Sequence, residues 1–337
     1  MRLLIGCSHD PVIFMMMRKA SALDGREAVT LTQAVGISLG PAQNDLRRRI
    51  LFLVLCFVWG TTWLAMKIGV AHVPPGLFAG TRWTLAGLAL LVWRLSHGET
   101  IRVPFRLRAR LIIVTVLMVV LNQVIQLYGL LTIPAGLAAV LSSGLTPVSL
   151  LGFAVLLGQE RFRWRQVAAI ALGVAGILVL FGPKAIDGAF GWPQIWGACA
   201  VIVGLLSYSL GSVLARPLMR TLPPGEVAAM TNFIGGLILL IGSLFLEPGA
   251  IRAATVFWGW PAVLAWLWLL LPGSLGATVI YFLLVRDWGA SRTGTYAFVS
   301  PVVAVVIAVP LLGEQVAFTD VVGMVLMLSA AGLVLKR

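Results

Sequence analysis

Ten stretches of this 337-residue chain are apolar over about the 17–25 residues a bilayer crossing requires, at 50–70, 76–95, 110–132, 135–157, 164–182, 194–216, 225–246, 260–284, 291–312 and 317–335. Inside hydrocarbon no water satisfies backbone N–H and C=O groups, so only helices and closed barrels can cross. Continuous apolar runs of this length are too long for barrel strands and predict α-helices. Charge supports the assignment: Asp, Glu, Lys and Arg make up 11% of the chain, against about 25% for an ordinary soluble domain. The expectation is an all-α integral membrane protein.

Five of these spans fall in each half, and the halves echo one another. Thr146 to Glu160 reads TPVSLLGFAVLLGQE, and 154 positions later Ser300 to Glu314 reads SPVVAVVIAVPLLGE. At an offset of 149, Trp59, Trp63 and Lys67 of the first span correspond to Tyr208, Ser212 and Arg216 of the sixth. Two such offsets argue for an internal duplication. Five is odd, so the second copy enters the bilayer inverted, the usual construction of alternating-access carriers with a midplane site. The expected organisation is a tail over 1–46, a first five-helix repeat over 47–182 and a second over 193–337.

Arginine placement fixes the expected orientation. Arg47 to Arg49 precede the first span, Arg94, Arg102, Arg106, Arg108 and Arg110 border the second connection, and Arg161, Arg163 and Arg165 the fourth. Arg216, Arg220, Arg286 and Arg292 continue the pattern, while the alternate loops hold only Lys184 and Arg252. Loops rich in Lys and Arg stay in the cytoplasm, so both termini are expected there. The net charge of +13 is thereby explained by topology rather than by a nucleic-acid surface, and no nucleic-acid partner is expected. The tail over 1–46 resembles neither a signal peptide nor a span, and no function is assigned to it.

Trp59, Trp63 and Lys67 recur every fourth residue and share a helix face. Lys67 and Arg216 sit near opposite helix ends, where snorkelling to the two interfaces is the reading placed ahead of a cavity role. Arg82 lies inside the second span, where a guanidinium costs about 2.5–3.5 kcal/mol on insertion scales. It is read either as a substrate ligand or as a lock on helix-end carbonyls. Asn122 and Gln126 form one polar stripe, with Gln123 beside them, and Ser274, Thr278 and Tyr281 form another. Such stripes point toward a partner helix or a wet cavity rather than lipid. The candidate substrate-binding set is Trp59, Trp63, Lys67, Arg82, Asn122, Gln126, Tyr208, Ser212, Thr278 and Tyr281. Pro147 and Pro301 each release a carbonyl four residues back. With Gly144 and Gly294 they are the candidate hinge or gate residues.

No Asp or Glu is expected well inside a span, and His9, His72 and His97 lie in the tail or loops. No catalytic residue, metal site or cofactor is expected: Ser142, Ser143 and Ser300 have no intramembrane base to activate them. Cys7, Cys56 and Cys199 have no paired spacing.

Val58-Trp59-Gly60-Thr61-Thr62, Arg82, the two proline-bearing helices ending in Gly-Gln-Glu and Gly-Glu, and the glycine-bearing last helices resemble the EamA-type drug/metabolite transporters over approximately 48–336. The resemblance implies ten helices, with one to four and six to nine around a central cavity and five and ten outside. It also implies small-molecule cargo, amino acids or related amphipathic metabolites, exported across a bacterial inner membrane; because ten helices in the lipid bilayer could hold a complete path, a functional monomer is the default expectation. The alternatives are an organophosphate or nucleotide-sugar carrier of the same superfamily, and a non-transporting membrane receptor or subunit. Tyr208 stands where relatives often show tryptophan, and Gln159 interrupts the usual Gly-Glu pair, so cargo is left open.

Overall fold

The computed structural model describes residues 41–186, 191–303 and 318–335, and no strand occurs among them. In chain order the helices are α1 (Pro41–Gly60), α2 (Thr62–Val70), α3 (Pro75–Ser96), α4 (Phe105–Thr115), α5 (Asn122–Thr132), α6 (Ala135–Leu156), α7 (Trp164–Ile186), α8 (Trp192–Ala215), α9 (Pro224–Leu246), α10 (Ala250–Thr255), α11 (Trp260–Trp268), α12 (Thr278–Trp288) and α13 (Ala290–Thr293). They are followed by α14, over 296–303, and α15 (Phe318–Leu335). By internal contacts the chain divides into units 1–49 and 50–337.

Seven helical segments among the described residues are long and apolar enough to cross a membrane: Asp45–Val70, Pro75–Ser96, Phe105–Thr132, Leu137–Leu156, Trp192–Arg220, Pro224–Leu246 and Trp260–Trp288. Two more, Trp164–Val179 and Val321–Val334, are apolar but shorter. Of the expected ninth span, residues 304–312 lie outside the described residues, so ten spans are not established.

Local chemistry sets the helix ends and breaks. Pro75, Pro193, Pro224 and Pro261 occupy the first two positions of α3, α8, α9 and α11, where the missing N–H has no intrahelical partner to lose. The first span, expected to be one helix, is interrupted at Thr61. There the hydroxyls of Thr61 and Thr62 donate to the carbonyls of Val58 and Trp59, each at 2.9 Å, a competition with the helix ladder that bends helices. Two further segments widen into π-helix: Val116–Leu121 between α4 and α5, and Leu269–Ala277 between α11 and α12. The second contains Pro272, whose absent N–H disrupts the ordinary ladder. The two π segments fall in the third span of each half, and both border the central cavity.

Helices meet where glycines let backbones touch. A Cβ at Gly236 of α9 would stand 2.1 Å from the Thr84 nitrogen of α3, and one at Gly87 of α3 would stand 2.1 Å from the Phe233 nitrogen of α9. Gly129 of α5 faces the Gly197 carbonyl of α8, at 2.7 Å from a built Cβ. At one end of the α3/α9 pair, the Glu247 carboxylate accepts the backbone N–H of Gly76 (2.8 Å) and Leu77 (3.2 Å), together with the hydroxyls of Tyr128 (2.7 Å) and Ser243. A carboxylate at a helix N-terminus complements both the open donors and the dipole. At the other end Arg94 pairs with Glu99 (2.6 Å) and with the buried Glu226 (3.6 Å). α7 and α15 pack on each other, with Gly176 against the Gly323 carbonyl.

Gly236→Ala is expected to lower the unfolding temperature in detergent, an overpacking cost of about 1–3 kcal/mol. Gly152→Ala, whose Cβ would meet nothing within 4 Å, should leave it unchanged. Equal melting of the two variants would show that α3 and α9 are not packed as described.

Candidate functional site

A cavity of ≈130 Å³ lies among the helices. Seven of the ten candidate residues line it: Trp59, Trp63, Arg82, Asn122, Gln126, Tyr208 and Thr278. Thr62, Met66, Trp83, Met118, Gln123, Ser142, Leu205, Leu269, Gly273 and Tyr296 complete the wall. The lining thus comes from the first to fourth, sixth and eighth spans and from α14; among the described residues, none of α7 or α15 lines it. α9 stands behind the wall, where Asn232 Nδ2 donates to the Ser274 carbonyl of the second π segment at 2.9 Å.

Arg82 is the charged member of this wall. It is 4% exposed, and its Nη1 donates to Ser274 Oγ at 2.8 Å while Nη2 donates to Gln123 Oε1 at 2.7 Å. Gln123 Nε2 donates to Asn122 Oδ1 (3.0 Å), and Asn122 Nδ2 donates to the Gly204 carbonyl of α8 (3.0 Å). The cation orients the relay: each amide turns its oxygen toward the guanidinium and its nitrogen away. The guanidinium also lies against the Trp83 ring, 4.8 Å from its centroid. No partner is a carboxylate among the described residues. Arg82 Nε and Trp83 Nε1 are buried without an acceptor. A buried cation held only by neutral groups keeps most of its field in the cavity.

The remaining wall is aromatic. Trp59 stacks against Tyr296, Tyr281 and Tyr208, with ring centroids 4.7, 5.0 and 6.2 Å apart. Tyr281, 1% exposed, lies behind this layer, where its hydroxyl bonds that of Ser212. Tyr281 and Ser212 therefore brace the cavity without lining it. Gln126, by contrast, makes no side-chain hydrogen bond among the described residues.

Lys67 does not line the cavity either. Its ammonium donates to the carbonyls of Leu130 and Ile133 (3.0 Å to the latter) at the C-terminal end of α5. A lysine reaching the last carbonyls of a helix satisfies orphan acceptors and complements the dipole. Lys67 shares α2 with Trp63 but stands one turn further along it, in the last turn, and its long side chain reaches past the cavity to the end of α5. Of the hinge candidates, Pro147 lies inside α6 and Pro301 inside α14. Gly294 closes α13 with Leu150 pressed on it, 2.3 Å from a built Cβ, whereas Gly144 has ordinary room, its nearest neighbour being Ile177 at 3.9 Å.

Arg216, the counterpart of Lys67, stands at the end of α8 beside Glu160. Gly289, at φ +88°, lies between them: a Cβ there would meet Glu160 Oε1 at 2.9 Å and Arg216 Cζ at 3.3 Å. Burial raises the Glu160 carboxyl above its ordinary value, opposed by the Ser291 N–H and by Arg216.

The pattern of the EamA-like transporter family matches residues 48–182 and, a second time, 195–336. The chain belongs to the EamA-like transporter family. Among EamA-like relatives, the uncharacterized inner membrane transporter YedA of Escherichia coli K12 is 30% identical over 77% of this chain and 81% of its own length. The uncharacterized transporter YvbV of Bacillus subtilis is 26% identical over 86% and 91%. A protein of Chlamydia muridarum named as an S-adenosylmethionine/S-adenosylhomocysteine transporter is 24% identical over 58% and 64%. A crystal structure with 21% identity superposes with a TM-score of 0.69, covering 85% of this chain and 96% of that one, which shows the shared fold. The EamA-like fold is all-α, membrane-embedded and built from two repeats.

Trp83, Gln123 and Tyr296 are cavity residues outside the sequence-derived set. Gln123 was visible as a polar residue inside a span, but periodicity placed it off the Asn122/Gln126 stripe; it lines the cavity with them and accepts from Arg82.

The folded protein holds the Glu160 proton more tightly than the unfolded chain, so this group favours folding most at low pH. That contribution is lost as pH rises from the ordinary value of 4.5 through the raised one. Melting temperatures across this window should fall more steeply in the parent than in Glu160→Gln; parallel slopes would contradict the burial of this carboxyl.

Proposed function

We propose that this chain is a secondary carrier of the inner membrane, exporting amino acids or related small amphipathic metabolites by alternating access between two oppositely inserted five-helix repeats over 47–182 and 193–337. Both termini are cytoplasmic in this reading, and one chain holds a complete path. The observation that carries it is Arg82: a buried guanidinium at the wall of a cavity, fixed by neutral partners, with aromatic rings beside it. A carboxylate on the cargo supplies the missing anion, and Trp59, Trp63 and Trp83 pack its apolar part. The Chlamydia relative is named for two compounds that each carry an α-amino-acid end, which supports the same class. Pro147, Pro301 and the two π segments are places where the ladder is already broken and helices can bend.

An organophosphate or nucleotide-sugar carrier would call for several cations on the cargo. With Lys67 bound to the end of α5, the described residues give the cavity one guanidinium, which favours a monocarboxylate. Counterflow into proteoliposomes with a labelled amino-acid panel tests the reading. Accumulation of at least one member is expected, with Arg82→Gln reducing it at least roughly tenfold, the size of a lost charged hydrogen bond. Arg82→Lys should recover only part of it, because lysine lacks the bidentate fork. No uptake above empty vesicles for any member would overturn the assignment.

A further inference from the structure

A second cavity, of ≈510 Å³, lies apart from the first, where the α6–α7 connection, the end of α8, the α12–α13 corner and the end of α15 converge. Arg161, Arg163, Arg165, Arg216 and Arg292 line it against one carboxylate, Glu160. Arg161 and Arg163 form no ion pair among the described residues, and Arg292 lies over the Trp288 ring at 4.7 Å. One wall is apolar: Leu333 and Val334 of α15, with Arg165 Nη2 donating to the Leu333 carbonyl at 2.7 Å.

Retention of arginines on one side of a membrane explains their number in this loop but not a concave site. Arg106 and Arg110, in another basic segment, are exposed and line neither cavity. The rim here also alternates charge and ring: Phe162 (54% exposed) and Trp164 (78% exposed) are interleaved with Arg161, Arg163 and Arg165. Exposed aromatics of a membrane helix end settle at headgroup depth, so the cavity mouth faces the layer where lipid phosphates lie. Guanidinium groups bind phosphate oxygens in parallel pairs, and basic pockets between spans on the cytoplasmic side attract anionic headgroups.

We propose that this cavity binds the phosphate of an anionic phospholipid, with Arg161, Arg163 and Arg216 on the phosphate and the end of α15 beside the first carbons of the chains. The lipid then bridges the α6–α7 connection of the first half to the α12–α13 corner and α15 of the second. The site is independent of the cargo assigned to the central cavity.

The test is native mass spectrometry of the full chain released from detergent containing phosphatidylglycerol, phosphatidylcholine or inorganic phosphate. One phosphatidylglycerol should be retained in preference to phosphatidylcholine. The double variant Arg161→Gln/Arg163→Gln should weaken its retention by roughly 30-fold, the effect of two interfacial arginines. Arg106→Gln/Arg110→Gln, with the same loss of charge, should bind as the parent does. If the glutamine variant at 161 and 163 aggregates, Arg161→Lys/Arg163→Lys gives the same reading with a smaller loss. Equal weakening by the two glutamine pairs, no preference for the anionic lipid, or displacement of the lipid by millimolar inorganic phosphate would each overturn the proposal, the last by making the site one for soluble anions.

Discussion

The backbone-to-backbone contact of α3 and α9 is the constraint on which the centre of the molecule depends. Gly87 and Gly236 bring one helix of each half so close that a methyl group on either would strike the other's main chain. In lipid there is no hydrophobic force to press helices together, so close packing and hydrogen bonds must do it. With that seam fixed, the opposite face of α3 presents Arg82 to the π segment of the eighth span and to the start of α5. Glu247 at one end and the Arg94–Glu226 pair at the other tie the same two helices at their termini.

Arg82 then acts on its surroundings as a fixed positive charge. Its amide relay through Gln123 and Asn122 reaches the carbonyl of Gly204 on α8, a group belonging to the other half of the chain. The relay neutralises nothing; it only turns acceptors toward the cation. On the proposed reading, a cargo that brings its own negative charge and an apolar part suits this wall. Release of such a cargo requires the wall to open. The three broken stretches, at Thr61 and at the two π segments, stand beside the cavity rather than at the periphery.

Much of this was legible in the sequence, for identifiable reasons. Bilayer-length apolar runs are the strongest periodic signal a chain can carry, and a polar residue inside one is conspicuous. Trp59, Trp63, Arg82, Asn122 and Thr278 could therefore be named as candidates, and the structure places them on the cavity wall. Lys67 lies off the wall because it sits in the last turn of α2, where a long flexible stem lets the ammonium reach a neighbouring helix end, the behaviour its position near a span end already allowed. Gln123 fell beside the stripe because it stands one position from Asn122, and Trp83 is one more ring in an apolar span, with nothing in the spacing to mark it.

The most direct test of the central claim uses a single cysteine at position 126, on the cavity wall, in a chain lacking Cys7, Cys56 and Cys199. A membrane-impermeant thiol reagent is applied from each face of oriented vesicles in turn. Labelling from both faces, slowed by a transported amino acid, is the result expected of a carrier whose cavity opens alternately. Labelling from one face only, at a rate that no ligand changes, would contradict it.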